Sequence, residues 1–305
     1  MNGIEYIQFF PTLRCNLNCI FCFNKGLPAT DNVTIGDFEK IISVLKKSDI
    51  KTIDILGGEP SLHPYLIDLV EIINRCRMKT NISSNGTDSR LLNLLSERYD
   101  KGFLKIGISL NSDGVSKGLH EYIIRHKPVL KSVFTKKSLI PDTGKQYIGL
   151  QGIKYFLLYM DIVEKMDSEY AIPFYTYYSE VMRLKRIYNN LDGVFCSGFL
   201  CNENDYSKLN NVRCPAGTTK LSVFADGSVY PCYLFFRYKE FEVGNILRDD
   251  FNKILQNPIL NFFKKFSKNN CPDIGCALFA SCHGGCPAVS YIFHNDMSVS
   301  DPRCR

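Results

Sequence analysis

Ile4-Glu5-Tyr6-Ile7-Gln8-Phe9-Phe10-Pro11-Thr12-Leu13-Arg14-Cys15-Asn16-Leu17-Asn18-Cys19-Ile20-Phe21-Cys22 is the stretch that decides how this chain is read. Residues 4–10 are an apolar run that reads as a first strand, and a C-x3-C-x2-C triplet follows it directly. Three thiolates on one tight loop hold three irons of a 4Fe–4S cube. The fourth iron then has no protein ligand and is free to take a substrate or cofactor. A cluster built for electron transfer alone takes four protein ligands. The plainer reading is a zinc knuckle, but zinc sites pair C-x2-C or C-x4-C with a second pair downstream. One triplet spaced three then two, at the end of a first strand, fits that poorly.

Outward from the triplet, strand and helix patterns alternate. Residues 34–47 place Ile35, Phe38, Ile41, Ile42 and Leu45 at helical spacing. Residues 51–56 are a β-branched run ending in Gly57-Gly58-Glu59-Pro60. Residues 65–76 are helical again, and 79–83 form a third strand ending in Ser84-Asn85-Gly86. A helix over 89–98 leads to a fourth strand over 103–110, which ends at Asn111-Ser112-Asp113-Gly114. Alternation of this kind implies an α/β fold with a parallel sheet and crossover helices. Sites in such folds lie at the carboxyl ends of the strands, where every motif here falls. The two glycines let backbone approach a ligand closely. Glu59 is suited to accept from an ammonium group, and Pro60 to fix the turn.

The pattern blurs from 115 to 200. Residues 122–137 read as a helix disturbed at Pro128. Strands five and six are expected between Tyr147 and Tyr178. Residues 172–178 are aromatic-rich, so Tyr175, Tyr177 and Tyr178 are candidates to line a pocket, although an ordinary packed strand is the plainer reading. In the last third, 221–225 and 228–233 flank Asp226-Gly227 as a β-hairpin. Residues 246–266 read as a helix interrupted at Pro258, before a tail holding Cys271, Cys276, Cys282, Cys286 and Cys304.

The chain has 305 residues, enough for one large domain or one and a half. No apolar run reaches the length that spans a bilayer, and residues 1–11 lack the features of a secretion signal. A cytoplasmic protein is expected. Thirteen cysteines there argue for metal and against a disulfide framework. Cys76, apart from the clusters, reads as an inert buried thiol. The net charge of +6 is spread along the chain and does not suggest nucleic-acid binding.

Together, triplet and GGEP resemble the radical S-adenosylmethionine (radical SAM) enzymes. The resemblance implies a partial (β/α)6 barrel over residues 1–200. Cys15, Cys19 and Cys22 would ligate the cluster, and Phe21 would pack near the adenine. Gly57, Gly58 and Glu59 would receive the methionine amino group. Ser84, Asn85, Ser109 and Asn111 would reach the carboxylate or ribose. The cluster would cleave S-adenosylmethionine to a 5′-deoxyadenosyl radical that abstracts hydrogen from substrate, with an external donor such as flavodoxin or ferredoxin supplying the electron.

The tail is similar to a SPASM extension with two auxiliary 4Fe–4S clusters, here over residues 201–305. Cys214, the intact G-x4-C from Gly227 to Cys232, the Cys276-x5-Cys282-x3-Cys286 group and Cys304 match its spacing. Cys271 departs, with four residues before Cys276 where the pattern has two. The resemblance implies Cys214, Cys232 and Cys286 at a nearer cluster, with Cys196 or Cys201 as candidate fourth ligand, and Cys271, Cys276, Cys282 and Cys304 at a farther one. A structural zinc at one site is the competing reading. His283 reads as a loop residue.

Two substrate classes stay open: oxidative modification of a peptide or protein side chain, and oxidation or epimerisation of a small molecule such as an amino sugar or cyclitol. The full cysteine set favours the first. Any peptide-recognition domain is then expected as a separate protein, because the first strand begins within ten residues. An epimerase would need a hydrogen donor, for which Cys196 or Cys201 is again the candidate. A plain iron–sulfur electron carrier would need neither GGEP nor a three-cysteine cluster.

Overall fold

The structure is a computed structural model that describes residues 3–27, 30–110, 114–136, 140, 142–195, 214–273 and 275–304. Along the chain run β1 (Tyr6–Phe10), α1 (Ile35–Lys47), β2 (Thr52–Ile55), α2 (Leu66–Arg75), β3 (Lys79–Ser84), α3 (Ser89–Arg98) and β4 (Leu104–Ser109). There follow α4 (Lys117–His126), β5 (Val129–Phe134), α5 (Asp142–Lys145), β6 (Tyr155–Tyr159), α6 (Phe174–Ile187) and β7 (Leu191–Val194). Last come β8 (Lys220–Phe224), β9 (Ser228–Tyr230), β10 (Gly244–Asn245), α7 (Phe251–Leu255), α8 (Ile259–Lys265), α9 (Phe279–Cys282) and α10 (Pro287–His294). Contacts divide the chain into two compact units. The first comprises Met1–Asn18, Gly26–Gly107 and Pro215–Lys265; the second comprises Cys19–Lys25, Ile108–Cys214 and Phe266–Arg305.

In the first unit β1 lies parallel between β2 and β8, and β2 pairs parallel with β3. β9 folds back antiparallel on β8 across Asp226-Gly227, and β10 pairs antiparallel with β9. Gly227 takes φ 81, which the tight turn demands. Ile7 and Phe9 are fully buried, and the Phe9 ring lies 5.0 Å from Phe38 of α1. That helix starts where the Thr34 side chain accepts from the Asp37 N–H, and it ends with Lys46 and Lys47 facing the negative end of the dipole. Its apolar stripe Phe38, Ile41, Ile42, Leu45 is buried, at about 1.5–3 kcal/mol per side chain. The alternate residues of the strands carry a buried polar row. Register aligns Ser222, Gln8, Asp54 and Asn81 across β8, β1, β2 and β3.

In the second unit β5, β6 and β7 are parallel. Three expectations are corrected here. The helix expected over 122–137 stops at His126, and 129–134 is strand β5. Lys127 leaves the helix with φ 49, and proline at 128 disfavours helix in the residue before it. Strands five and six were expected between Tyr147 and Tyr178, but only β6 lies there. The aromatic run 172–178 is no strand either, since α6 begins at Phe174 behind Pro173. Phe174, Tyr177, Val181 and Leu184 are buried at helical spacing, and the aromatic content had concealed that period. Tyr177 belongs to the core: its hydroxyl donates to the carbonyls of Leu157 at 2.6 Å and Val194 at 3.1 Å. The helix expected over 246–266 is two short ones, α7 and α8, broken at Pro258. The expected domain boundary at residue 200 falls outside the described residues. Among the described residues no helix is long and apolar enough to cross a membrane.

Candidate functional site

In the first unit three strand ends converge in one hydrogen-bonded knot. The chain leaves β1 through Pro11 and Thr12, both buried. The GGEP turn after β2 lies against that exit. Gly58 N–H donates to the Thr12 carbonyl at 3.0 Å, and Glu59 N–H to the Arg14 carbonyl at 2.8 Å. A Cβ on Gly57 would stand 2.3 Å from the Thr12 oxygen, and one on Gly58 would stand 2.1 Å from the Arg14 oxygen. The two glycines thus admit the backbone that carries the first cysteine.

Glu59 is 1% exposed. One carboxylate oxygen accepts from Ser61 N–H at 3.0 Å and the Ser84 hydroxyl at 2.8 Å. The other accepts from Asn85 N–H at 2.7 Å. Ser84 and Asn85, read as ligand contacts, are therefore joined to Glu59 at the end of β3. The Asn85 side chain donates to the Asn16 side-chain oxygen at 2.8 Å, and Asn16 donates to the Thr87 hydroxyl at 2.9 Å. Asn16 and Thr87 had no sequence signal, yet they fasten the residue beside Cys15 to the third strand end. Because the three donors bond to both carboxylate oxygens, Glu59→Gln would set its amide NH2 against at least one of them. We expect a stability loss of about 1–3 kcal/mol, measured by urea unfolding. An unchanged midpoint would contradict this account of the knot.

In the second unit Cys22 N–H donates to the Cys19 carbonyl at 3.0 Å, and Lys25 N–H to the Cys22 carbonyl at 3.2 Å, so the segment is a run of tight turns. Phe21 is half-buried. Lys25 reaches the buried Asp167 at 3.0 Å, which also accepts from the Val163 and Glu164 N–H groups. This anchor too was missed from sequence. Ser109 closes β4, while Asn111, Cys196 and Cys201 lie outside the described residues.

The second unit also contains a cavity of about 550 Å³ lined by Cys271, Cys276, Cys282 and Cys304, with Phe174, Tyr175 and Asp273 on its wall. These are the four cysteines assigned to the farther cluster, and of the three tyrosines in the 172–178 run Tyr175 lines the same space. The longer spacing after Cys271 does not remove it from the group. Burial, reinforced by Asp301, pushes the Cys282 thiol up to about 12. Cys304 is raised by burial and then by Cys271 and Cys276. Among the described residues no three such groups converge as they would on a single ion. Four thiols lining one space are a donor set that could hold either a metal ion or an iron–sulfur cluster. Of the remaining set, Cys214 and Cys286 lie in the second unit and Cys232 is buried in the first. His283 ends α9 with φ 54, a loop position as expected.

The Radical SAM superfamily model matches residues 9–135, and the SPASM iron–sulfur cluster-binding domain model matches residues 214–284. The chain is 26% identical, over 92% of its length, to the antilisterial bacteriocin subtilosin biosynthesis protein AlbA of Bacillus subtilis, and it spans 66% of that protein. It is 23% identical, over 73% of its length, to a probable GTP 3′,8-cyclase of Methanothermobacter thermautotrophicus, of which it covers 82%. Among solved structures, Streptococcus suis SuiB bound to precursor peptide SuiA gives a TM-score of 0.71 at 19% identity, covering 100% of this chain and 76% of SuiB. The protein anSMEcpe with bound AdoMet gives 0.70 at 16%, covering 99% and 91%. These likenesses show the α/β partial-barrel fold that the family resemblance implies.

Proposed function

This chain is a radical SAM protein with a SPASM iron–sulfur domain, and from that premise we propose that it carries out oxidative modification of a peptide or protein side chain. When bound, the cluster and S-adenosylmethionine supply a one-electron cleavage that yields a 5′-deoxyadenosyl radical able to take hydrogen from substrate. Cys15, Cys19 and Cys22 would hold that cluster. The GGEP backbone, pinned to the exit of β1 and to Ser84 and Asn85 through Glu59, would form the seat for the methionine end of the cofactor. Phe21, Ser109 and Asn111 would complete it. An external donor such as flavodoxin or ferredoxin would deliver the electron.

The observation that carries the oxidative reading is the four-cysteine cavity, because auxiliary clusters suit removal of a second electron. With Cys214, Cys232 and Cys286 at a nearer cluster, reconstituted protein should contain about twelve irons per chain. Four irons with zinc would refute the two-auxiliary-cluster reading. The bacteriocin biosynthesis relative matches nearly the whole chain and supports a peptide substrate. Of the cyclase relatives, one matches 73% of the chain and others about 40%, against 92% for the bacteriocin biosynthesis protein. The test is incubation with S-adenosylmethionine and a short precursor peptide encoded beside the gene. Loss of two hydrogens from the peptide by mass spectrometry is expected. An unchanged peptide, with turnover of an amino sugar or cyclitol, would establish the small-molecule alternative.

A further inference from the structure

The family match to the iron–sulfur domain ends at residue 284, but the cavity's cysteines continue to Cys304. Between these points stands a buried ion pair that no motif marks. The side chains of Asp301 and Arg303 are 4% and 2% exposed. Arg303 Nε donates to Asp301 at 3.0 and 3.2 Å, and Nη2 at 2.6 Å. Nη1 donates to the Met160 carbonyl, just past β6, at 2.7 Å. The guanidinium lies 4.5 Å from the Tyr159 ring centroid and 5.3 Å from that of Phe195. The Tyr159 hydroxyl returns a bond to the Arg303 carbonyl at 3.2 Å.

Asp301 is the centre of this arrangement. Its N–H donates to the Gly284 carbonyl at 2.9 Å, and its carbonyl accepts from the Cys304 N–H at 3.1 Å. Its carboxylate accepts from the Cys286 N–H at 3.0 Å. Gly285 packs so closely that a Cβ there would stand 2.2 Å from the Asp301 Cβ. Asp301 and Pro302 also line the four-cysteine cavity. One residue therefore fixes the backbones of two cysteines, and the planar fork of Arg303 fixes that residue to the end of β6 in a way a point charge on a lysine cannot.

We propose that Asp301 and Arg303 are positioning residues for the four-cysteine cluster, with Asp301 setting Cys304 against the backbone of Cys286, which is outside that set, and Arg303 anchoring Asp301 to the end of β6. The proposal rests on the reading of that cavity as a cluster site. It is tested on reconstituted holoprotein with Arg303→Lys and with the double variant Asp301→Leu/Arg303→Met, since replacing both partners of a buried pair by apolar groups commonly preserves folding where removing one does not. The signal of the farther cluster is first identified in the electron paramagnetic resonance spectrum of reduced wild-type protein as the one lost in Cys276→Ser. In folded Arg303→Lys that signal should change shape and midpoint potential. The signal that responds to added S-adenosylmethionine should not change. The double variant should lose about four irons per chain while keeping its circular dichroism spectrum. A wild-type iron count and superimposable spectra in whichever variant folds would overturn the positioning role and leave a merely structural pair. A wild-type protein with no signal dependent on Cys276 would overturn the cluster reading itself.

Discussion

Cys19→Ala is expected to abolish S-adenosylmethionine cleavage while leaving about eight of about twelve irons in the protein. The reason is the separation of the two cysteine sets along the chain. Cys19 belongs to the triplet on the segment after β1, and its carbonyl takes the Cys22 N–H. Removing it leaves two thiols there, too few to retain a cube. The cavity set spans Cys271 to Cys304 and has no chain segment in common with the triplet. 5′-Deoxyadenosine, followed by chromatography under reducing conditions, should fall below detection. Cleavage persisting at a comparable rate would remove the triplet from the centre of the mechanism, whatever the iron count.

The contrast with the sequence reading follows chain locality. From β1 to β4 each strand and helix declares itself through its own period, and the motifs sit where short segments end. α3 spans Ser89–Arg98, the residues predicted. Beyond β4 the determinants become relational. β5 was concealed because Val129 to Phe134 follows α4 after only Lys127 and Pro128. α6 was concealed because its buried face is aromatic, which reads as strand when burial is unknown. At the site, cysteines are legible because few residue types ligate iron, and their spacing is local. Asn16, Thr87, Lys25, Asp167, Asp301 and Arg303 are common polar residues whose partners lie up to 144 positions away. Nothing in their neighbours distinguishes a buried anchor from a solvated side chain. Glu59 falls between the two cases. Its motif was legible, while its hydrogen bonds to Ser84 and Asn85 emerged only with the strands in register.

Gly58→Ala should be among the most damaging small substitutions in the first unit. The added methyl would lie 2.1 Å from the Arg14 oxygen and 2.6 Å from the Leu13 oxygen, both backbone atoms that cannot rotate away. Gly58 does not need a positive φ, so the effect is steric alone. Overpacking against fixed atoms costs about 1–3 kcal/mol, and relief requires the Leu13–Arg14 backbone to move. That movement displaces the adjoining Cys15 and breaks the 2.8 Å bond from Glu59 N–H to Arg14. A displacement near 1 Å at a reacting group lowers rates on the order of 10²-fold. We therefore expect both a lower melting temperature and a fall of that order in 5′-deoxyadenosine formation. Gly36→Ala is the matched control. Gly36 lies in α1 with nothing within 4 Å of the added methyl. Alanine there should leave cleavage unchanged and raise stability by about 0.4–1 kcal/mol. If Gly58→Ala instead behaves like Gly36→Ala in both measurements, the tight seating of GGEP on the strand exit is not what positions the first cysteine.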